Sequence, residues 1–200
     1  MKTLSEAWAW YKATRDNLRR MKRLGEKHWN DKSLEKASIW HDEQFKAIEA
    51  DDVTRETTDA LKPLEDLAIL VLFSVFEAAV RDHIEVIVQP EANKLTDPIL
   101  KDAASEALEG VREGSFARRI LKPLQDQKRI TSELSDKVNQ VRDYRNWIAH
   151  GKRKTTRKRK VEVLSAQQTF DRLKEFLDQL GIAVEPEQPQ EEEEDEGELL

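Results

Sequence analysis

The chain has 200 residues, 38% of them hydrophobic and 37% charged, with no cysteine and a formal net charge of -6. That length suits one medium-sized domain, and the lack of cysteine excludes a disulfide framework, a thiol nucleophile and a cysteine-built zinc site. With only six glycines and six prolines, the composition speaks against a sheet sandwich, which needs regular turn signals and more β-branched residues. The opening stretch, MKTLSEAWAWYK, lacks the uninterrupted apolar run of a signal peptide. The longest apolar stretch, residues 67–80, is too short and too interrupted to span a bilayer. A soluble, cytoplasmic chain with no membrane partner is expected.

In chain order, Leu4, Trp8, Tyr11, Leu18, Met21 and Leu24 recur at spacings of three, four and seven, which predicts an amphipathic helix over 4–29. Leu34, Ala37, Trp40, Phe45 and Ile48 repeat the pattern over 33–50, with Ser33 a candidate N-cap. A polar break, DDVTRETTD, follows. From Pro63 to Pro90 the chain reads as one helix punctuated by proline at both ends. Between Leu67 and Val80 it is apolar nearly all round, so it is the expected central element. Two shorter helices are predicted near 97–112 and 115–127, separated by Gly110 and Gly114. A well-marked helix runs from Thr131 or Ser132 to Gly151, with the threonine or serine as N-cap and the glycine as C′ residue. A last helix spans Ser165 to Leu180 and is closed by Gly181. VEVL at 161–164 is the one candidate strand. The reading is an all-α bundle of about six or seven helices. Residues 1–60 form an N-terminal helical hairpin packed on a helical domain of residues 61–184, and residues 185–200 form a disordered acidic tail.

The helix over 131–151 carries an anomaly. Leu134, Val138, Val141 and Ile148 make its apolar stripe, and the position seven after Val138 is Arg145. A guanidinium in a core position needs a carboxylate or a bound anion, because burying it unpaired costs several kcal/mol. Glu77, inside the equally apolar LFSVFEAAV, is the matching anomaly and the expected partner, with Arg81 and Asp82 as further members of a polar cluster. His150 follows Arg145 by five residues, about 140° round an ideal helix. It is closer in angle to Asn146 and Arg142. A histidine there can be a simple helix C-cap favoured by the macrodipole, or it can converge with Arg145 on one phosphate.

Immediately beyond lies KRKTTRKRK, with seven basic residues in nine: Lys152, Arg153, Lys154, Arg157, Lys158, Arg159 and Lys160. Such a run repels itself unless it is solvated or meets a polyanion. Placed after His150, it would hold an RNA backbone across the end of the helix, adding affinity without reading sequence. Of the 40 acidic residues, nine fall in 185–200, where there is no basic one, so residues 1–184 hold 34 basic against 31 acidic side chains, a formal +3. The acidic segment reads as a solubilising tail or as an internal decoy for a polyanion site.

An apolar helix containing LFSVFEAAVRDHI, followed by a later helix ending RNWIAHG, resembles the HEPN superfamily. The signature of that superfamily is an arginine, four to six residues and a histidine, often with a polar residue just after the arginine. Arg145, Asn146 and His150 match the four-residue version, and the similarity spans roughly residues 62 to 181. The resemblance implies an all-α bundle, commonly dimeric. Many members are metal-independent endoribonucleases of toxin–antitoxin, phage-defence and RNA-processing systems, and some have lost catalysis. On that reading Arg145 and His150 are catalytic and Asn146 assists. Glu77, Arg81 and Arg142 support them, and the basic run binds RNA. No metal or cofactor is expected. The partners are RNA, a second copy of the chain and an antitoxin or other regulatory protein. Two other readings stay open: a silent HEPN module binding RNA, a nucleotide or a protein, and a helical assembly protein working through its basic loop and acidic tail. Other chemistries find no motif. There is no Gly-rich phosphate loop and no GxSxG elbow, and His28, His41 and His83 lack metal-ligand spacing. The five tryptophans, at 8, 10, 29, 40 and 147, read as core or interface anchors. Trp147 is a candidate for stacking a base.

Overall fold

The computed structural model describes residues 1–29, 48–152 and 161–184. Among these the chain is all-helical: α1 (Leu4–Lys27), α2 (Ala50–Lys94), α3 (Pro98–Glu113), a π-helical turn (Ala117–Leu121) running directly into α4 (Lys122–Asp126), α5 (Ser132–Ala149) and α6 (Ala166–Leu180). Among the described residues no helix is long and apolar enough to cross a membrane. The expected helix over 33–50, with its Ser33 cap, falls largely outside the described residues. So do Trp40, His41 and the acidic segment 185–200. VEVL is not a strand.

Helix α1 begins with a reciprocal cap, Thr3 accepting from the Glu6 amide and Glu6 reaching back to the Thr3 amide. It packs along α2, the most extensive helix pairing in the fold. The close approach depends on Gly25, where an added Cβ would lie 2.8 Å from Thr54 Oγ1 and 3.3 Å from the Ala50 carbonyl.

Helix α2 corrects the reading of the prolines. It is continuous for 45 residues, with Pro63 and Pro90 inside it and with the supposed polar break as its first turns. The division expected at residues 60 and 61 falls within this helix. An interior proline costs about 3 kcal/mol through its lost hydrogen bond and ring clash. Here the flanking segment is held helical by burial: Val53 and Thr57 before Pro63, and Leu64 after it, face the core. Asp51 and Asp52 in the first turn favour the helix dipole.

The core gathers on α2 between Leu64 and Val80. Phe76 meets Phe116 and Phe176 edge-on, with ring centroids 5.6 and 5.2 Å apart. Contacts of that geometry add about 0.5–1.5 kcal/mol each beyond area burial. Helix α5 runs antiparallel to α2, since Arg145 lies over Phe73 and Lys152, seven residues on, reaches Asp66. Helix α6 is antiparallel to α5, tied by Lys137 to Glu175 and by Arg172 to Gln140. This sandwich of α2, α5 and α6 fixes where the end of α5 sits.

Candidate functional site

The end of α5 is set by the chain's own caps. Thr131 starts the helix by accepting from the Leu134 amide. At the far end the Gly151 amide donates to the Ile148 carbonyl and the Lys152 amide to Trp147, with Gly151 at φ +68°. That pair of bonds is a Schellman closure, for which glycine is the natural residue. Lys152 also has positive φ, at 56°, a conformation unfavourable for a side chain with a Cβ. Its side chain compensates: Nζ lies 2.6 Å from Asp66 Oδ2 and 5.6 Å from the centre of the Trp147 ring.

Arg145 is partly buried. Its guanidinium lies 5.8 Å from the centre of the Phe73 ring, and Nη1 donates to Asn146 Oδ1 at 3.1 Å. Its Nε is buried without a hydrogen-bond partner. The expected carboxylate partner is not there. Glu77 instead accepts from Arg81, one turn along α2, whose Nε donates at 3.2 Å. Arg81 also donates to the carbonyls of Val111 and Gly114 and lies over Phe116. It thus satisfies the C-terminal carbonyls of α3, groups that a helix cannot bond internally. Glu77 and Arg81 tie α2 to α3, and Asp82 is exposed. The i,i+4 neighbour reached Glu77 first because it needs no tertiary alignment.

His150 is the C-cap of α5. Its amide donates to the Asn146 carbonyl at 3.0 Å, and its side chain is exposed. Arg142, Asn146 and His150 are four residues apart and advance about 40° per step, so they form one stripe. Arg142 is paired with Asp143 at 2.8 Å. Asn146 joins the stripe to Arg145. The structure thus brings Arg145 and Asn146 together, but among the described residues no side-chain contact joins either of them to His150, whose link to Asn146 is the backbone bond of the helix.

Of the basic run, Lys152 is described and is engaged with Asp66. Arg153, Lys154, Arg157, Lys158, Arg159 and Lys160 lie outside the described residues. Two residues flanking the undescribed positions meet one turn of α2: Lys152 on Asp66, and the amide of Ala166, at the start of α6, on Glu65 Oε1 at 2.8 Å. Glu65 also accepts from the Tyr11 hydroxyl, and Asp66 from Tyr144 at 3.4 Å. Sequence reasoning missed this carboxylate pair. The available signal was two adjacent acids, PLEDLAIL, heading the most apolar helix. The hydrogen bond to Asp66 raises the Lys152 pKa. Burial, then the Asp66 charge, raises that of Tyr144. Burial, then the bond to Glu65, does the same for Tyr11.

Trp147 stacks on Tyr144 with centroids 5.7 Å apart and is covered on the Lys152 side. Among the described residues no cluster of acids and histidines is arranged to hold a metal ion. Neither a protein-family model, nor a curated protein, nor a solved structure matches the chain.

Proposed function

We propose that the chain is a HEPN-type, metal-independent endoribonuclease whose Arg145, Asn146 and His150 act at the C-terminal end of α5. The observation that carries the reading is an arginine with a buried, unfilled donor, joined through Asn146 to the face that ends in an exposed histidine. RNA brings its own nucleophile. The 2′-oxygen attacks the adjacent phosphorus, and the P–O5′ bond breaks. A 2′,3′-cyclic phosphate and a 5′-hydroxyl remain. The His150 imidazole takes the 2′-hydroxyl proton. The leaving 5′-oxygen takes a proton from His150 of a second copy, which is why a homodimer suits the chemistry. The guanidinium stabilises charge on the phosphorane-like transition state. The basic run that follows supplies phosphate contacts, and Lys152 contributes by anchoring that run to Asp66. DNA, lacking the 2′-hydroxyl, is not cut. A setting in toxin–antitoxin or phage-defence systems follows from the resemblance.

The contacts of Arg145 with Phe73 and Asn146 favour one second reading. In it the arginine is a structural lid and the chain is a silent module that binds RNA, a nucleotide or a protein. The test is cleavage of 5′-labelled mixed-sequence RNA in EDTA by wild type, Arg145→Ala and His150→Ala, each shown folded by circular dichroism. Cleavage by wild type alone, with cyclic phosphate ends, is the expected result. RNA retention with no cleavage by any of the three, tRNA included, would establish the silent module.

A further inference from the structure

The other end of α5 carries a different surface. The π-helical turn and α4 frame a groove of about 340 Å³, with a floor of Ile84, Ile120, Pro123 and Leu124 and a rim of Arg119 and Arg129. The stem of Arg119 lies across Gly110 and Gly114; a Cβ at Gly114 would come within 2.8 Å of its Cγ. Two glycines therefore make the bed that aims this arginine. Neither rim guanidinium has an ion pair or a side-chain hydrogen bond among the described residues. Around them, residues 118–129 hold five exposed basic side chains against one acid, Asp126. An apolar floor under unneutralised arginines calls for an occupant that is acidic and carries an apolar end.

The chain contains such a segment. Residues 185–200 hold nine acids and finish Glu198-Leu199-Leu200. The helix that precedes them touches the rim of the groove, and the chain is held once more just before they begin. Gln179, in the last turn of α6, donates to the Arg129 carbonyl at 3.2 Å, and buried Val184 accepts from the Ser5 amide at 3.2 Å. Fifteen residues reach up to about 50 Å when extended, ample for the groove. The basic run at 152–160 is a poorer host. It has no apolar residue and begins beyond the opposite end of α5, whose 18 residues make a helix about 27 Å long.

We propose that the Arg119/Arg129 groove is the docking site of this chain's own residues 185–200, with glutamates against the two guanidinia and Leu199 and Leu200 on the apolar floor. The tether keeps the local concentration of the segment in the millimolar range, so a contact too weak to form between separate molecules still forms. The inference is independent of the ribonuclease reading.

The absence of native cysteine allows a clean test on the full chain. A nitroxide is placed on Gly197→Cys, and methyl signals of Ile84, Ile120 and Leu124 are compared before and after its reduction. The expected result is selective loss of those three signals in the oxidised sample and their return in Arg119→Gln/Arg129→Gln. Leu199→Asn/Leu200→Asn, which leaves every described residue intact, is expected to restore them as well. Unchanged groove signals would overturn the proposal, as would a loss confined to the Trp147 indole beside the basic run. Persistence of the loss in either double variant would also overturn it. So would a loss transmitted equally from labelled to unlabelled copies, which would make the occupant another chain.

Discussion

Two partly buried arginines lie at nearly the same distance from a phenylalanine ring, Arg81 at 5.9 Å over Phe116 and Arg145 at 5.8 Å over Phe73. They differ in what fills their donors. Arg81 serves a carboxylate and two helix-end carbonyls. Arg145 donates to one side-chain amide, and its Nε is unfilled. A guanidinium has five N–H donors. The first arginine spends them on the fold, and the second has a single side-chain acceptor among the described residues. The lesson is that burial alone does not mark a structural arginine; the list of acceptors does.

The largest expected effect breaks the pair apart on activity. Arg145→Lys keeps the charge but loses the fork, and RNA cleavage falls about 10²–10³-fold, the range for removing one transition-state donor. The thermal midpoint moves little. Arg81→Met does the reverse. With side chains only 17% and 25% exposed, breaking its pair with Glu77 leaves a carboxylate and two carbonyls unsatisfied. The loss is about 3 kcal/mol in urea unfolding, while cleavage per folded molecule stays at the wild-type rate. Asp66→Asn is milder, because Lys152 is 46% exposed and solvent screens the pair. About 0.5–1 kcal/mol is expected from the same measurement, and protease cutting within 153–160 rises because one anchor of the segment is gone.

The smallest effect is one of pH. Tyr11, Tyr144 and Lys152 all hold their protons more tightly than their ordinary values of 10.0, 10.0 and 10.5. Groups raised in the folded state stabilise it fully below those values, and the contribution is lost as pH rises through the higher folded ones. Melts from pH 8 upward are expected to stay level until about pH 10 and then fall. The fall is shallower in Tyr144→Phe/Lys152→Met. An equal fall in that variant would remove the Asp66 cluster from the account.

Much of the helix punctuation was legible because caps are local. Thr131, Ser165 and Gly181 each do what their residue type dictates, and Gly151 takes the left-handed conformation expected of it. The prolines misled for a tertiary reason. Pro63 marks a helix start only when nothing else holds the preceding turns, and here Val53 and Thr57 are buried. The polar cluster misled for the same reason. Periodicity identifies Glu77 and Arg145 as anomalies, but which groups they meet depends on how helices align, and Arg81 and Asn146 were the nearer partners. Asp66 went unread because its partner Lys152 comes 86 positions later in the chain.

The anchoring of Lys152 and Ala166 to neighbouring carboxylates of α2 has a consequence for how this protein can change. The connection of thirteen residues between them begins and ends on α2, and Leu164 and Ser165, near its second anchor, are held by the core and by the cap of α6. Lengthening such a loop twofold costs only about 0.6 kcal/mol. A change of length or charge at positions 153–160 is therefore expected to leave the helix end beside them where it is.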